Sequence, residues 1–554
     1  MAEKSVKLSE EKLKPKLFSV MKNYSGAQFA KDVVAGIIVA IIALPLSIAL
    51  ALASGVNPEQ GLYTAIVAGF IVAFLGGSRV QIAGPTAAFA TIVAGIVANK
   101  GMEGLALATI FAGVLLILMG VFRLGSLIKF IPYTITTGFT AGIAVTIAIG
   151  QIKDFLGLTY PDGTVTIETM EKMRAIVSNI STINVQALIV GLVCLAILIL
   201  WPFLTEKIPA SLIAVIVSIF MVKLLNMDVN TIGDLYTISN SIPVPKLPAI
   251  SVDAIIKVAP DAFTIAILAA IESLLSCVVA DSMINSHHRS NMELIAQGLG
   301  NIGSALFGGI PATGAIARTA ANIKNGGRSP IAGMVHSLVL VLVLVLLMPY
   351  AALIPMPAIA AILFMVAYNM CQWRPFVHLC KTAPKSDIIV LVLTFVLTVV
   401  FDLVVAIEIG MILACVLFMK RMSEESGVKG WKYYDPEEDP DGMELKEVPK
   451  HVRVFEISGP MFFGDADQLA DVNFKDFTKV IIIRMRGVPA LDATAMHSME
   501  ALYEKCSKRN VQLVFSHVNE QPFRTMEKSG FVDLVGRDNF RPHIDDAIAW
   551  ASKL

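Results

Sequence analysis

Apolar runs recur along the first 420 residues, parted by short polar breaks. They lie near 33–54, 61–76, 85–99, 104–122, 126–151, 184–203, 208–225, 260–283, 293–307, 314–323, 330–353, 357–371, 386–401 and 403–420. That makes about fourteen segments, several of them shorter than the roughly 20 residues that a full span needs. The pattern predicts an α-helical polytopic membrane domain over 32–421, behind a polar N-terminal segment of residues 1–31. Two of the short segments follow Gly84-Pro85 and Ile310-Pro311. A Gly/Pro break before small residues can start a helix inside the membrane, with its free N–H groups turned toward an anion. The run Ala262 to Ala280 carries one carboxylate, Glu272, with Ser273 and Ser276 close by. A carboxylate in such a run is costly and marks an ion or proton site.

After Arg421 the pattern changes. Residues 422–447 are polar and read as a linker; residues 448–554 alternate strand and helix signals, which argues a small α/β domain. Strands are expected near 451–458, 479–484 and 511–518, and helices from Asp492 to about Lys508, near 521–529 and near 543–553. Asp492 reads as a helix N-cap.

Composition narrows the class. The 554 residues are 55% hydrophobic and only 16% charged, against about a quarter charged in soluble proteins; the mean hydropathy is +0.71. A formal net charge of +0 gives no basic bias toward nucleic acid. The six cysteines show no metal-ligand spacing, and no phosphate loop or nucleophile triad points to an enzyme, a cofactor or a metal. Residues 1–31 lack an early apolar core, so no signal peptide is expected, and their lysines place the N-terminus in the cytoplasm. Counting segments puts Arg79, Arg289, Arg328 and Lys420 on the same side, together with the C-terminal domain. A multi-pass protein in the lipid bilayer follows, and its expected location is the inner (plasma) membrane.

The chain echoes itself. Gln60-Gly61-Leu62, Gly76-Gly77 and Gly84-Pro85-Thr86-Ala87 are answered by Gln297-Gly298-Leu299, Gly308-Gly309 and Pro311-Ala312-Thr313. Two halves of seven segments would leave such a trace, and inverted halves would bring two broken helices together, N-terminus to N-terminus. With Ile42-Ala43-Leu44-Pro45, Gly77-Ser78-Arg79, Glu272-Ser273-Leu274-Leu275-Ser276, Asn291-Met292-Glu293-Leu294, Ala317-Arg318 and the C-terminal α/β unit, the chain resembles the SulP family of anion transporters. These are the bacterial relatives of the SLC26 proteins, and the C-terminal unit looks like a STAS domain. The likeness is closest to the branch that includes an enteric C4-dicarboxylate transporter.

The resemblance implies 7+7 inverted repeats, with a core (segments 1–4 and 8–11) moving against a gate (5–7 and 12–14). It implies substrate contacts at Thr86, Ala87, Gly314, Ala315, Ile316, Ala317 and Arg318, and proton coupling through Glu272 with Ser276. Secondary active transport of a sulfate-type oxyanion or a C4-dicarboxylate by alternating access is the expected function. A sodium-coupled bicarbonate transporter or an anion channel on the same scaffold is the alternative. The family also implies a homodimer and a cytoplasmic regulator acting through the STAS domain. Leu46 stands where many eukaryotic sulfate carriers have Gln, and Glu272 with Ile316 replaces the Asp and Thr of sodium-coupled members. In the STAS loop, Asp492-Ala493-Thr494-Ala495 puts alanine where anti-sigma antagonists carry a phosphorylated serine. Bland readings stand beside these. Glu272 could serve as an ion pair or a cap, and Arg318 could snorkel or tie helices together. His287-His288-Arg289 reads as a solvated helix end.

Overall fold

The computed structural model describes residues 13–126, 131–161, 164, 166, 168–205, 208–249, 251–401, 403–425, 427–430, 448–462 and 477–554. Most of the expected linker, residues 426 and 431–447, lies outside them. The chain forms two compact units, Met1–Met411 and Ile412–Leu554.

The first unit is helical. In chain order it contains α1 (Gly26–Ala53), α2 (Pro58–Leu75), strand β1 (Ala83–Gly84), α3 (Ala87–Val121), α4 (Tyr133–Leu156), α5 (Val185–Leu204), α6 (Ala210–Leu224), α7 (Val252–Ile284) and α8 (Ser290–Leu306). Strand β2 (Thr313–Gly314) follows, then α9 (Ile316–Lys324), α10 (Ile331–Ala351), α11 (Met356–Cys371), α12 (Trp373–Thr382), α13 (Lys385–Val400) and α14 (Leu403–Glu425), which runs on into the second unit. Among the described residues, eight helices are long and apolar enough to cross a membrane. The two segments expected near 85–99 and 104–122 are two helices that meet at a kink within α3, at Gly101, whose φ of 67° interrupts the helix. Glycine takes that left-handed geometry without a Cβ clash.

Packing divides these helices. α3 lies against α7 and α8, α2 against α8, and α1 and α2 against α10; α4 packs on α11 and α13, and α5 on α6 and α11. Facing glycines allow the closest approach. A β-carbon on Gly113 of α3 would stand 2.6 Å from the Gly298 carbonyl of α8, so the two backbones touch there. Small residues of this kind set helix contacts in a bilayer, where no hydrophobic drive separates helix from lipid.

The second unit is a five-stranded sheet, ordered β3 (Gly427–Gly430), β4 (Val452–Ser458), β5 (Val480–Gly487), β6 (Gln512–Ser516) and β7 (Phe540–Arg541), with β3 antiparallel and the other pairings parallel. The run Val480-Ile481-Ile482-Ile483 is apolar throughout because β5 is covered on both faces. Ile481 and Ile483 pack toward Met496, Met499 and Leu502 of α15 (Ala493–Ser507). Val480 and Ile482 pack toward Ile544, Ala547 and Ile548 of the C-terminal helix Ile544–Ala551.

Candidate functional site

The two Gly/Pro breaks meet. β1 and β2 pair antiparallel, Ala83 opposite Gly314 and Gly84 opposite Thr313. Each strand leads at once into a helix, α3 after Thr86 and α9 after Ala315. The first amides of a helix have no intrahelical partner, and neither Thr86 nor Ala315 caps its helix with a side chain. Two positive helix ends, each worth roughly half a charge, therefore start from one two-residue ladder.

Buried polar side chains hold this ladder in place. Asn301 of α8 accepts from the Ala312 amide at 2.8 Å and donates to the Ala312 carbonyl at 2.9 Å. Ser273 of α7 accepts from the Gly314 amide at 3.1 Å and pairs with the Thr313 hydroxyl at 2.7 Å. Gln81 donates to the Ser273 carbonyl at 3.1 Å, and a β-carbon at Gly314 would collide with the Gln81 amide. Thr64 of α2 accepts from the Ile310 amide at 2.7 Å. Glu293 of α8, fully buried, accepts from the amides of Gly77 at 2.9 Å and Ser78 at 3.2 Å ahead of β1. The Ala315 amide itself donates to the Ile82 carbonyl at 2.8 Å, which continues the ladder to the head of α9.

The residues expected from the sequence fall into three groups. Thr86 and Glu272 are brought together: the Thr86 hydroxyl donates to the Glu272 carboxylate at 2.9 Å, and both side chains are half-buried. Ala87, Gly314 and Ala315 are buried at the helix heads, whereas Ile316 and Ala317 are exposed, with Ile316 at 41%. Arg318 and Ser276 turn elsewhere. Arg318, only 2% exposed, donates to the Pro85 carbonyl and so bridges the head of its own helix to the head of α3. It makes no ion pair with Glu272 among the described residues. Gly84 is glycine for this reason, since a β-carbon there would stand 2.6 Å from Arg318 Nη1. Ser276 faces Thr319 at 3.5 Å instead of Glu272.

The sequence assigns no role to Asn301, Gln81, Glu293 or Thr64, although Glu293 lies in a motif that carries the family resemblance. Their signal was present, because each is a polar residue inside or beside an apolar run. Polarity alone, however, does not say which backbone group such a residue will satisfy.

Sequence and fold comparisons agree with this architecture. Residues 29–394 match the sulfate permease family and residues 443–547 match the STAS domain. YvdB of Bacillus subtilis, named as a candidate sulfate transporter, is 38% identical over 95% of this chain and 98% of its own length. The bicarbonate transporter BicA of Picosynechococcus is 32% identical, with 90% of each chain covered. Among solved structures, murine Slc26a9, an anion transporter in an inward-facing state, shares the fold with a TM-score of 0.88 at 20% identity, over 98% of this chain and 94% of that one. The transmembrane domain of a cyanobacterial BicA gives 0.61 at 28% identity, over 71% of this chain and 98% of that one. The chain therefore belongs to the sulfate permease (SulP) family, transporters rather than enzymes, and carries a C-terminal STAS domain.

Proposed function

We propose that the protein is a secondary active transporter that carries a small oxyanion or carboxylate at the paired heads of α3 and α9, coupled to protons through Glu272. The observation that carries this reading is the Thr86–Glu272 hydrogen bond at the head of α3, beside the β1–β2 ladder. The helix ends supply positive potential, and the small residues Ala87, Gly314 and Ala315 let an anion reach the backbone. Glu272 then sets the charge of the loaded site. With a proton on Glu272, the anion is the only negative group to be carried. Without it, the carboxylate competes with the anion for the same positive end. The group of α1–α3 and α7–α10 would move as the core against α4–α6 and α11–α14 as the gate, in alternating access across the inner membrane. Both termini would face the cytoplasm in a homodimer, with the STAS domain as a regulatory unit.

The substrate reading is sulfate-type oxyanion or C4-dicarboxylate, with bicarbonate as a second reading because BicA proteins are among the relatives. One experiment separates these possibilities. Proteoliposomes are loaded under a pH gradient, with and without sodium, and uptake of one labelled anion is challenged with sulfate, succinate and bicarbonate. Accumulation that follows the proton gradient and ignores sodium supports the proposal. Sodium-dependent bicarbonate uptake favours the second reading, and uptake that never exceeds equilibrium refutes active transport.

A further inference from the structure

A cleft of about 560 Å³ opens at the end of the first unit where its N-terminal residues lie. Its wall brings together Lys16, Arg79 and Arg328 with the hydroxyls of Ser19, Ser286 and Ser329. These groups come from separate parts of the chain: the strap before α1, the loop after α2, the end of α7 and the turn between α9 and α10. None of them belongs to the seat between α3 and α9.

The charges here do not cancel locally. Arg79 makes no ion pair among the described residues, and its Nε is buried without a hydrogen-bond partner. The carboxylate of Asp32, also buried, is already taken by the Tyr24 hydroxyl at 2.7 Å, Gln28 Nε2 at 3.0 Å, the Arg328 amide at 2.7 Å and the Ser329 hydroxyl. Asp281 is held by the His288 amide and ring, both at 2.7 Å. Arg289 is spent on the strap, donating to the carbonyl of Lys14 at 2.8 Å and the hydroxyl of Ser19 at 3.0 Å. Lys16 reports the resulting crowding: burial, and then the positive charge of Arg289, hold its ammonium below the usual lysine range, while Asp281 pulls the other way and Arg79 adds the smallest downward push. A half-buried guanidinium without a counter-charge, its Nε shut away from solvent, beside a lysine and the hydroxyls of Ser19 and Ser286, matches the donor set that a phosphate group requires.

We propose that this cleft is a second anion site, separate from the transport seat, which takes a phosphate group and ties the N-terminal strap to the loops at Arg79, Ser286 and Arg328. The group could arrive as free phosphate or as the headgroup of a phosphatidic acid, since both present the same oxygens.

The test uses the full chain in nanodiscs. In neutral phosphatidylcholine discs, inorganic phosphate is titrated by calorimetry and by the thermal unfolding midpoint, which rises when a ligand binds the folded state. A parallel arm replaces part of the lipid with phosphatidic acid and omits free phosphate. Stabilisation in the first arm identifies a soluble source, and stabilisation in the second alone identifies the lipid. Arg79→Gln and Lys16→Gln should each weaken the effect about tenfold or more, the size of a lost charge-assisted hydrogen bond, while Arg79→Lys keeps most of it. Ala315→Asp, which spoils the transport seat, should leave it intact. No stabilisation in either arm, equal binding by wild type and both glutamine variants, or loss of binding in Ala315→Asp would each overturn the proposal.

Discussion

Helix α15 of the soluble unit begins at Asp492, whose carboxylate accepts from the Ala495 amide at 2.8 Å. Helices α3 and α9 of the membrane unit begin at Thr86 and Ala315, and neither residue offers a side chain to its own helix. The three starts share the same backbone need, because first-turn amides have no partner within the helix. In α15 a covalently attached carboxylate fills that need and fixes the helix in place. At α3 and α9 the chain provides small residues, and it spends its buried polar side chains on the ladder behind the helices instead. Asn301, Ser273, Thr64 and Glu293 all serve the strands and loops that lead to the heads. The membrane heads are thus held in position without a side-chain cap of their own. Under the proposed function, an anion would do there what Asp492 does for α15.

Moving the soluble solution into the membrane tests this contrast most severely. Ala315→Asp would supply a resident carboxylate at the head of α9 and should exclude the transported anion. Two unit charges about 4 Å apart at an effective dielectric near 20 repel by about 4 kcal/mol, roughly a thousandfold in affinity. Ala315→Leu and Ala87→Leu should weaken binding by crowding alone, without charge, and so by less. Dissociation constants of purified variants decide the matter, and normal binding by Ala315→Asp would place the anion elsewhere.

The scaffold comes next. Asn301→Ala would strip both the amide and the carbonyl of Ala312 of their partner inside a dry core, at a cost of about 3 kcal/mol. The melting midpoint in detergent should fall clearly, and anion binding should fall with it. A variant with an unchanged midpoint would show that the ladder is held by other contacts.

Much of the fold could be read from the chain because burial leaves a period. Long apolar runs gave the membrane helices, and the strand-helix alternation after residue 448 gave the soluble sheet, with β5 and α15 close to their expected ends. The two Gly/Pro breaks were equally legible, since few other residues can stop and restart a helix. Shorter features were not. Strand β3 lies within the stretch that read as linker, and its four residues have no periodicity of their own. Helix α12 occupies what read as a polar break, because a ten-residue amphipathic helix resembles one in composition. At the site, types of residue were readable but partners were not: Arg318 reaches the Pro85 carbonyl and Ser276 reaches Thr319, contacts more than 40 residues apart in sequence for each. Such choices depend on three-dimensional proximity that no local pattern encodes.

Glu272 distinguishes the head of α3 from that of α9. The carboxylate shares the α3 head through Thr86, whereas Arg318 is the charged group carried in the first turn of α9. If Glu272 carries the coupled proton, a gradient of one pH unit supplies about 1.4 kcal/mol per proton, enough for about tenfold accumulation. Glu272→Gln should lose that accumulation while retaining exchange of anion for anion, measured as uptake in proteoliposomes with and without the gradient. Wild-type accumulation in the glutamine variant would remove Glu272 from the coupling role.

The smallest effect is expected from the capped helix itself. Asp492→Ala removes the carboxylate that satisfies the Ala495 amide, and loss of a good N-cap costs about 1 kcal/mol. The head of α15 would then resemble those of α3 and α9 in lacking a side-chain cap. It should still not become an anion seat, because Ala495 and Met496 of that first turn are buried in the core of the soluble unit. The expected result is a slightly lower unfolding midpoint for the soluble unit, with the order of anions competing for transport unchanged. A changed selectivity order would mean that the STAS domain takes part in choosing the anion, and that an uncapped helix head is not what sets the membrane site apart.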